Sequence, residues 1–258
     1  MKTTTSDMGR NRTGVATSPI DSADITQEAQ KHPPSHLGDS SLIGKVRQIY
    51  ARESEGLGSV PPPASLKGVA KTAMDAIKGA KPTVFIDKLA ARLAFERSGT
   101  RLYEAALVKF DVYGGWEGGP TREGLEKIYN DELSHFLMLT DALKTLGADP
   151  TAMTPSADVT AVVSQGLPLL MLDPRANMRQ SLEALLVAEL TDNACWELLI
   201  ELARGLGHDT LADRFQLALD SEVQHLQWVR GWLAAGVSDE ARAAMPTAEG
   251  RAGAQPRV

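Results

Sequence analysis

Between residues 83 and 236, apolar positions recur at helical spacing in four long runs, each bounded by glycine or proline. The first run covers roughly 83–112. It follows Pro82, which suits a first helical turn, and ends at Gly114-Gly115-Trp116-Glu117-Gly118-Gly119. The second starts at Pro120 or Thr121 and stops at Gly147, with Pro150 beyond it. The third covers roughly 176–204 and ends at Gly205 or Gly207. The fourth covers roughly 208–235 and is expected to stop at Gly236. About 28 residues separate the second and third runs; they hold Pro150, Pro155, Pro168 and Pro174, with one short helix expected near 156–165. The pattern predicts an all-α four-helix bundle with a long crossover between its second and third helices, over residues 82–236.

The flanks read differently. Residues 1–38 are rich in Ser, Thr, Asp, Gly and Pro and are expected to be a disordered leader. Within residues 39–81, segment 41–54 spaces Leu42, Val46, Ile49 and Tyr50 as a short helix, a candidate for docking a protein partner. Pro61-Pro62-Pro63 breaks it off, and a weaker amphipathic helix is expected from Ser65 to Ile77. The Ala-, Gly- and Pro-rich residues 237–258 read as a flexible tail.

Composition narrows the function. Net charge is −6, which speaks against nucleic acid as a partner because no basic excess would supply the affinity. Hydrophobic residues make up 43% but aromatics only 5%, so the expected core is Leu, Ala, Val and Met. The single cysteine, Cys195, rules out an intrachain disulfide or a thiolate cluster within one chain, and it is expected to be buried and inert. The polar N-terminus lacks the apolar core of a secretory signal, and the longest apolar stretch, Leu167 to Leu172, is too short to span a bilayer. No membrane role and a cytoplasmic location are the expectations.

The chemistry lies in one constellation. The first helix carries Glu96, the second Glu132 and His135, the third Glu189, and the fourth Glu222 and His225. A Glu and a His three apart share a helix face and can reach one metal ion. Carboxylates are hard anionic donors suited to iron or manganese, and imidazole adds preference for transition metals. With only five histidines in the chain, one Glu-x-x-His pair is unremarkable. Two, in alternate helices with single glutamates between, match the ligand pattern of dimetal carboxylate bundles. A lone buried His is more often a hydrogen-bonded core residue, and a lone Glu a surface charge. Glu96 and Glu189, however, sit inside Leu93-Ala94-Phe95 and Leu185-Leu186-Val187-Ala188, where an unpaired charge is costly.

Hairpin geometry gives an independent check. Residues at one height in a helical hairpin are equidistant from the turn. The midpoint between Glu96 and the Glu132/His135 pair falls at about residue 115, inside the glycine-rich turn. That between Glu189 and the Glu222/His225 pair falls at about residue 206, inside Gly205-Leu206-Gly207. Both hairpins therefore level their ligands.

These segments resemble the ferritin, bacterioferritin and rubrerythrin superfamily over roughly residues 83–236. The resemblance implies a ferritin-like bundle holding two iron ions, with manganese as the alternative. It implies oxidation of ferrous ion by oxygen or peroxide, an oxidoreductase activity of ferroxidase or peroxidase type. It makes Glu132 and Glu189 the bridging carboxylates, Glu96 and Glu222 terminal or bridging, and His135 and His225 one ligand each. Tyr103, seven residues after Glu96, is similar to the tyrosine that sits beside the metals and hydrogen-bonds a ligand or donates an electron. A homodimer is a further implication. The absence of a Cys-x-x-Cys pair removes the electron relay of typical rubrerythrins, and the long leader argues against a storage cage. Two other functions stay open on this scaffold. One is a binding or assembly module with a structural or vestigial metal site; the other is a manganese catalase or small-molecule oxygenase. Asp192, three after Glu189, faces the same side as an extra ligand or as partner of a His.

Overall fold

The computed structural model describes residues 18–33, 35, 40–63 and 82–243. They divide into two units, one ending at Gly56 and one beginning at Leu57. The first holds α1 (Pro19–Lys31) and α2 (Ser41–Glu53). Helix α1 lies where disorder is expected; Pro19 at its start and Asp21 in its first turn favour a helix end there, although it buries no residue. Helix α2 covers the segment expected to be a short helix and exposes Leu42, Ile43, Val46, Ile49 and Tyr50. The helix expected over 65–77 lies outside the described residues.

The second unit is the bundle: α3 (Pro82–Tyr113), α4 (Arg122–Thr145), α5 (Pro155–Ser164), α6 (Gly166–Leu172), α7 (Met178–Gly205) and α8 (Asp209–Ala243). Helices α3 and α4 form one hairpin and α7 and α8 the other; α3 also packs on α7, and α4 on α8. The described residues are thus all-α. None of their helices is long and apolar enough to cross a membrane.

Local chemistry sets the helix ends. Thr121 caps α4 by accepting from Gly124 N at 3.0 Å. A reciprocal capping box of Asn177 and Gln180 starts α7. Helices α4 and α7 both stop on a left-handed glycine, Gly147 (φ 83°) and Gly207 (φ 75°). Past each, the next amide closes on a carbonyl of the last turn: Ala148 N on Leu143 O and His208 N on Ala203 O, both at 2.9 Å. The crossover carries two helices where one was expected. Pro168 is tolerated in α6 because it sits in the first turn, where a missing N–H leaves no bond unmade. Lys109 on α3 holds the end of the crossover by donating to the carbonyls of Asp173 (2.5 Å) and Ala176 (2.6 Å).

Helix α8 does not stop at Gly236 but continues to Ala243. Gly236 serves close packing instead of termination. A Cβ there would stand 2.7 Å from Cζ2 of Trp116, which the glycine-rich turn delivers against α8. Arg179 stacks its guanidinium 4.7 Å from the Trp116 ring and donates to Gly236 O at 3.1 Å, closing that end of the bundle.

The interior is two apolar cores with a polar layer between them. Phe85, Leu89, Leu143, Trp196, Leu199 and Phe215 anchor one core. Leu102, Ile128, Met178, Leu182, Leu185 and Val229 anchor the other. Each of the four long helices crosses from one core to the other through residues that are charged or ionisable.

Candidate metal centre

That layer gathers Glu96 from α3, Glu132 and His135 from α4, Glu189 from α7, and Glu222 and His225 from α8. The four glutamates and His225 are fully buried, and His135 is 5% exposed. Ligand atoms of Glu132, Glu189, Glu222 and His225 all lie within 4.8 Å of one another, and so do those of Glu96, His135 and Glu222. Two ligand groups therefore share one carboxylate. The carboxylate common to both groups is Glu222, which the resemblance left as terminal or bridging. The reason is positional: Glu222 lies against both imidazoles, 2.8 Å from His135 Nδ1 and 3.2 Å from His225 Nδ1.

Glu132 is the least satisfied group. Both of its oxygens are buried, and neither has a hydrogen-bond partner. Burial, and then the negative charges of Glu222 and Glu96, hold its carboxyl well above the usual range. Glu189 is raised for the same reasons, burial first and then Glu222, although the Tyr103 hydroxyl donates to its Oε1. Tyr103 is 1% exposed, and burial and then Glu189 push its hydroxyl far up, so it acts as a neutral donor.

The imidazoles are held by carboxylates on both sides. His225 presents Nδ1 to the layer, and its Nε2 meets Asp131 Oδ2 at 2.9 Å. Donation to Asp131 fixes the tautomer whose Nδ1 lone pair faces inward, the arrangement that orients metal-bound histidines. In the metal-free protein, burial lowers the His135 pKa, but Glu222 and Glu96 overcome it and raise it to about 10. Burial likewise raises Glu222, yet the hydrogen bonds of His135 and His225 bring it down to about 2.

Two members of the layer, Arg92 and Asp131, escaped the sequence, and a third, Asp192, takes a partner other than the expected one. Arg92, 3% exposed, places Nε 2.9 Å from Glu96 Oε1 and pairs Nη2 with Asp192. Its guanidinium also lies 4.5 Å from the Phe95 ring centroid. The signal was available, since Arg92 stands one helical turn before Glu96. Asp192 is buried as its spacing from Glu189 suggested, but its partner is Arg92 and not a histidine. Asp131 is adjacent to Glu132, about 100° around the helix, so a search along one helix face passes over it. Cys195, expected to be buried, is exposed.

The donor set fits a pair of divalent cations. Five fully buried carboxylates, Glu96, Glu132, Glu189, Asp192 and Glu222, face one buried guanidinium. With both imidazoles neutral, four negative charges remain, the charge two divalent ions would balance. Such a layer without cations is costly, because desolvated like charges repel and unpaired oxygens lose their water. Carboxylate oxygens with one imidazole per group form a set for iron, manganese or zinc in preference to calcium or magnesium.

A family model described as Ferritin-like domain matches residues 86–236, the span from α3 to Gly236 in α8. No curated protein and no solved structure matches the chain. With the paired hairpins, the crossover and the buried carboxylate–histidine layer in place, the match is to the whole bundle, and the chain belongs to the ferritin-like family.

Proposed function

We propose that the bundle holds two iron ions and oxidises ferrous ion with oxygen or peroxide. The observation that carries this is Glu132: a fully buried carboxylate with no protein partner on either oxygen, facing Glu189, Glu222 and His225. A buried acid in that state is explained by a cation. Glu132, Glu189 and His225 would hold one ion and Glu96 and His135 the other, with Glu222 belonging to both groups. A bound ferrous pair supplies two electrons to an oxidant that accepts electrons in twos.

The protein's own groups set the conditions. The two apolar cores close the layer above and below and keep bulk water from it. Tyr103 holds Oε1 of Glu189, leaving Oε2 directed into the layer without a hydrogen bond. Arg92 offsets the charge of Glu96 and Asp192. Burial raises the carboxyl pKa of Glu132 and Glu189, so an entering metal competes with protons for these oxygens.

Elemental analysis of the untagged protein and of a Glu132→Ala/His225→Ala double variant tests the site. About two iron per chain, lost in the variant, is the expected result, followed by oxygen- or peroxide-dependent oxidation of added ferrous ion. Manganese in place of iron redirects the activity to peroxide disproportionation. Less than a few tenths of a metal per chain after anaerobic loading overturns the proposal.

One observation favours a second reading, a binding or assembly module. Helix α2 exposes Leu42, Ile43, Val46, Ile49 and Tyr50, more apolar surface than a solitary helix needs. Deleting residues 1–56 changes the oligomeric state or partner binding on this reading. Unchanged solubility, assembly and metal oxidation in the deleted form count against it.

A further inference from the structure

Beside the polar layer, a cavity of about 410 Å³ opens between α3, α5 and α7. That volume suits a small organic molecule. Helical spacing builds its walls: Lys88, Arg92 and Phe95 recur one turn apart on α3, and Val159 and Val163 on α5. Leu198 and Leu202 come from α7 in the same way. The lining is mainly apolar. Its two charged residues, Lys88 and Arg92, are both cationic, and no carboxylate lines it.

Arg92 ties this cavity to the layer. Its Nε is engaged by Glu96 and its Nη2 by Asp192. Nη1 is left without an ion pair or hydrogen bond to any described residue, and Arg92 is part of the cavity wall. Lys88, exposed one turn away, donates to Ser156 Oγ at 2.9 Å and adds a second positive charge. A pocket with an apolar body and two cations at one side selects a molecule with an apolar chain and an anionic oxygen head.

We propose that this cavity binds a medium-chain aliphatic carboxylic acid. Its carboxylate meets Arg92 Nη1 and Lys88, and its chain lies among Phe95, Val159, Val163, Leu198 and Leu202. The head group would then sit one side chain away from Glu96, so that an organic acid and the polar layer share a single guanidinium.

Cys195 supplies the test, because it is the only cysteine of the chain, is exposed, and lines the cavity. The rate of its alkylation by a maleimide is measured on the full chain with octanoate, octanol or acetate present. Octanoate is expected to slow labelling saturably, octanol at least about tenfold less effectively, and acetate not at all. Lengthening the acid from hexanoate to octanoate should tighten protection by about three- to fourfold per methylene, the ordinary effect of burying one. Arg92→Gln removes the preference for acid over alcohol. Because that change also strips Glu96 and Asp192 of their cation, Val163→Trp is the second variant. Its site is 79% exposed on the cavity wall, and the indole fills the space and weakens octanoate protection at least about tenfold with an unchanged melting temperature.

No protection by millimolar octanoate overturns the proposal, and equal protection by octanol overturns the role of Arg92. Protection that rises with protein concentration and ignores octanoate marks the cavity as a contact between copies and also overturns it. The measurement needs no metal, so it succeeds or fails independently of ferrous oxidation.

Discussion

Glu132 Oε2 occupies the space that a side chain at Gly99 would take: an ideal Cβ on Gly99 stands 2.0 Å from that oxygen. The backbone of α3 thus makes room for a carboxylate of α4. The intruding atom is the far end of a flexible side chain, so Gly99→Ala displaces Glu132 without breaking the helix pair. Alanine is also the better helix former, by about 1 kcal/mol. The expected outcome is a variant with wild-type or higher melting temperature that holds about one metal per chain or less, read by circular dichroism and elemental analysis. Full metal content in this variant would show that Glu132 is dispensable.

Tyr103→Phe removes the only hydrogen bond to Glu189 Oε1 among the described residues and leaves that oxygen unsatisfied in a buried site. Metal stoichiometry should persist, while affinity falls by about tenfold, the lower end of what outer-shell partners of a metal site contribute. A competition titration with a chelator reads it.

Asp131→Asn tests the orientation of His225. The carboxylate that accepts from Nε2 becomes an amide able to donate in its place, so the ring loses the partner that fixes its tautomer. A 10- to 100-fold loss of metal affinity, roughly, is expected with little loss of stability, because Asp131 is partly exposed. An unchanged affinity would remove Asp131 from the site.

The pH dependence of the metal-free protein follows from the direction of the shifts. Glu132, Glu189 and Asp192 have raised pKa values in the fold, chiefly by burial. His135, raised to about 10, and His225 shift the same way through their carboxylate partners. A group whose folded pKa is raised binds its proton more tightly in the native state. Its stabilisation is full below the unfolded pKa and is lost as pH rises through the folded value. Glu222, lowered to about 2, acts oppositely: its contribution is full above its unfolded 4.5 and is lost as pH falls toward the folded value. The metal-free melting temperature should therefore peak on the acid side of neutrality and fall toward alkaline pH. Metal loading should flatten that fall and release protons, which calorimetry in buffers of different ionisation enthalpy detects. A metal-free protein most stable at alkaline pH would contradict this assignment.

The sequence made the bundle and its buried glutamate–histidine layer legible because both are periodic. Glu132 with His135 and Glu222 with His225 follow helical spacing, and the two turns lie midway between the residues they bring level. What it hid are pairings that depend on which helix faces which. Arg92 reads as an ordinary helix arginine until α7 brings Asp192 to it. Gly236 reads as a stop signal until Trp116 arrives from the far turn. Cys195 looks buried beside Trp196, yet one residue along a helix turns the side chain by about 100° into the cavity. Glu222 as the shared carboxylate depends on the relative rotation of α4 and α8, which spacing within one helix leaves undetermined.

The layered interior has a consequence for how the molecule comes apart. Two oily halves, one around Trp196 and Phe215 and one around Leu182 and Met178, meet at a stratum of like charge. Filled with cations, that stratum is the rivet at the waist of the bundle. Emptied, it is a fault line, and the halves lose their reason to melt together. Calorimetry of the stripped protein should then show a broadened or split transition, with backbone amides beside Glu132 and Glu189 exchanging before those at either end, and returning the metal should restore a single sharp one.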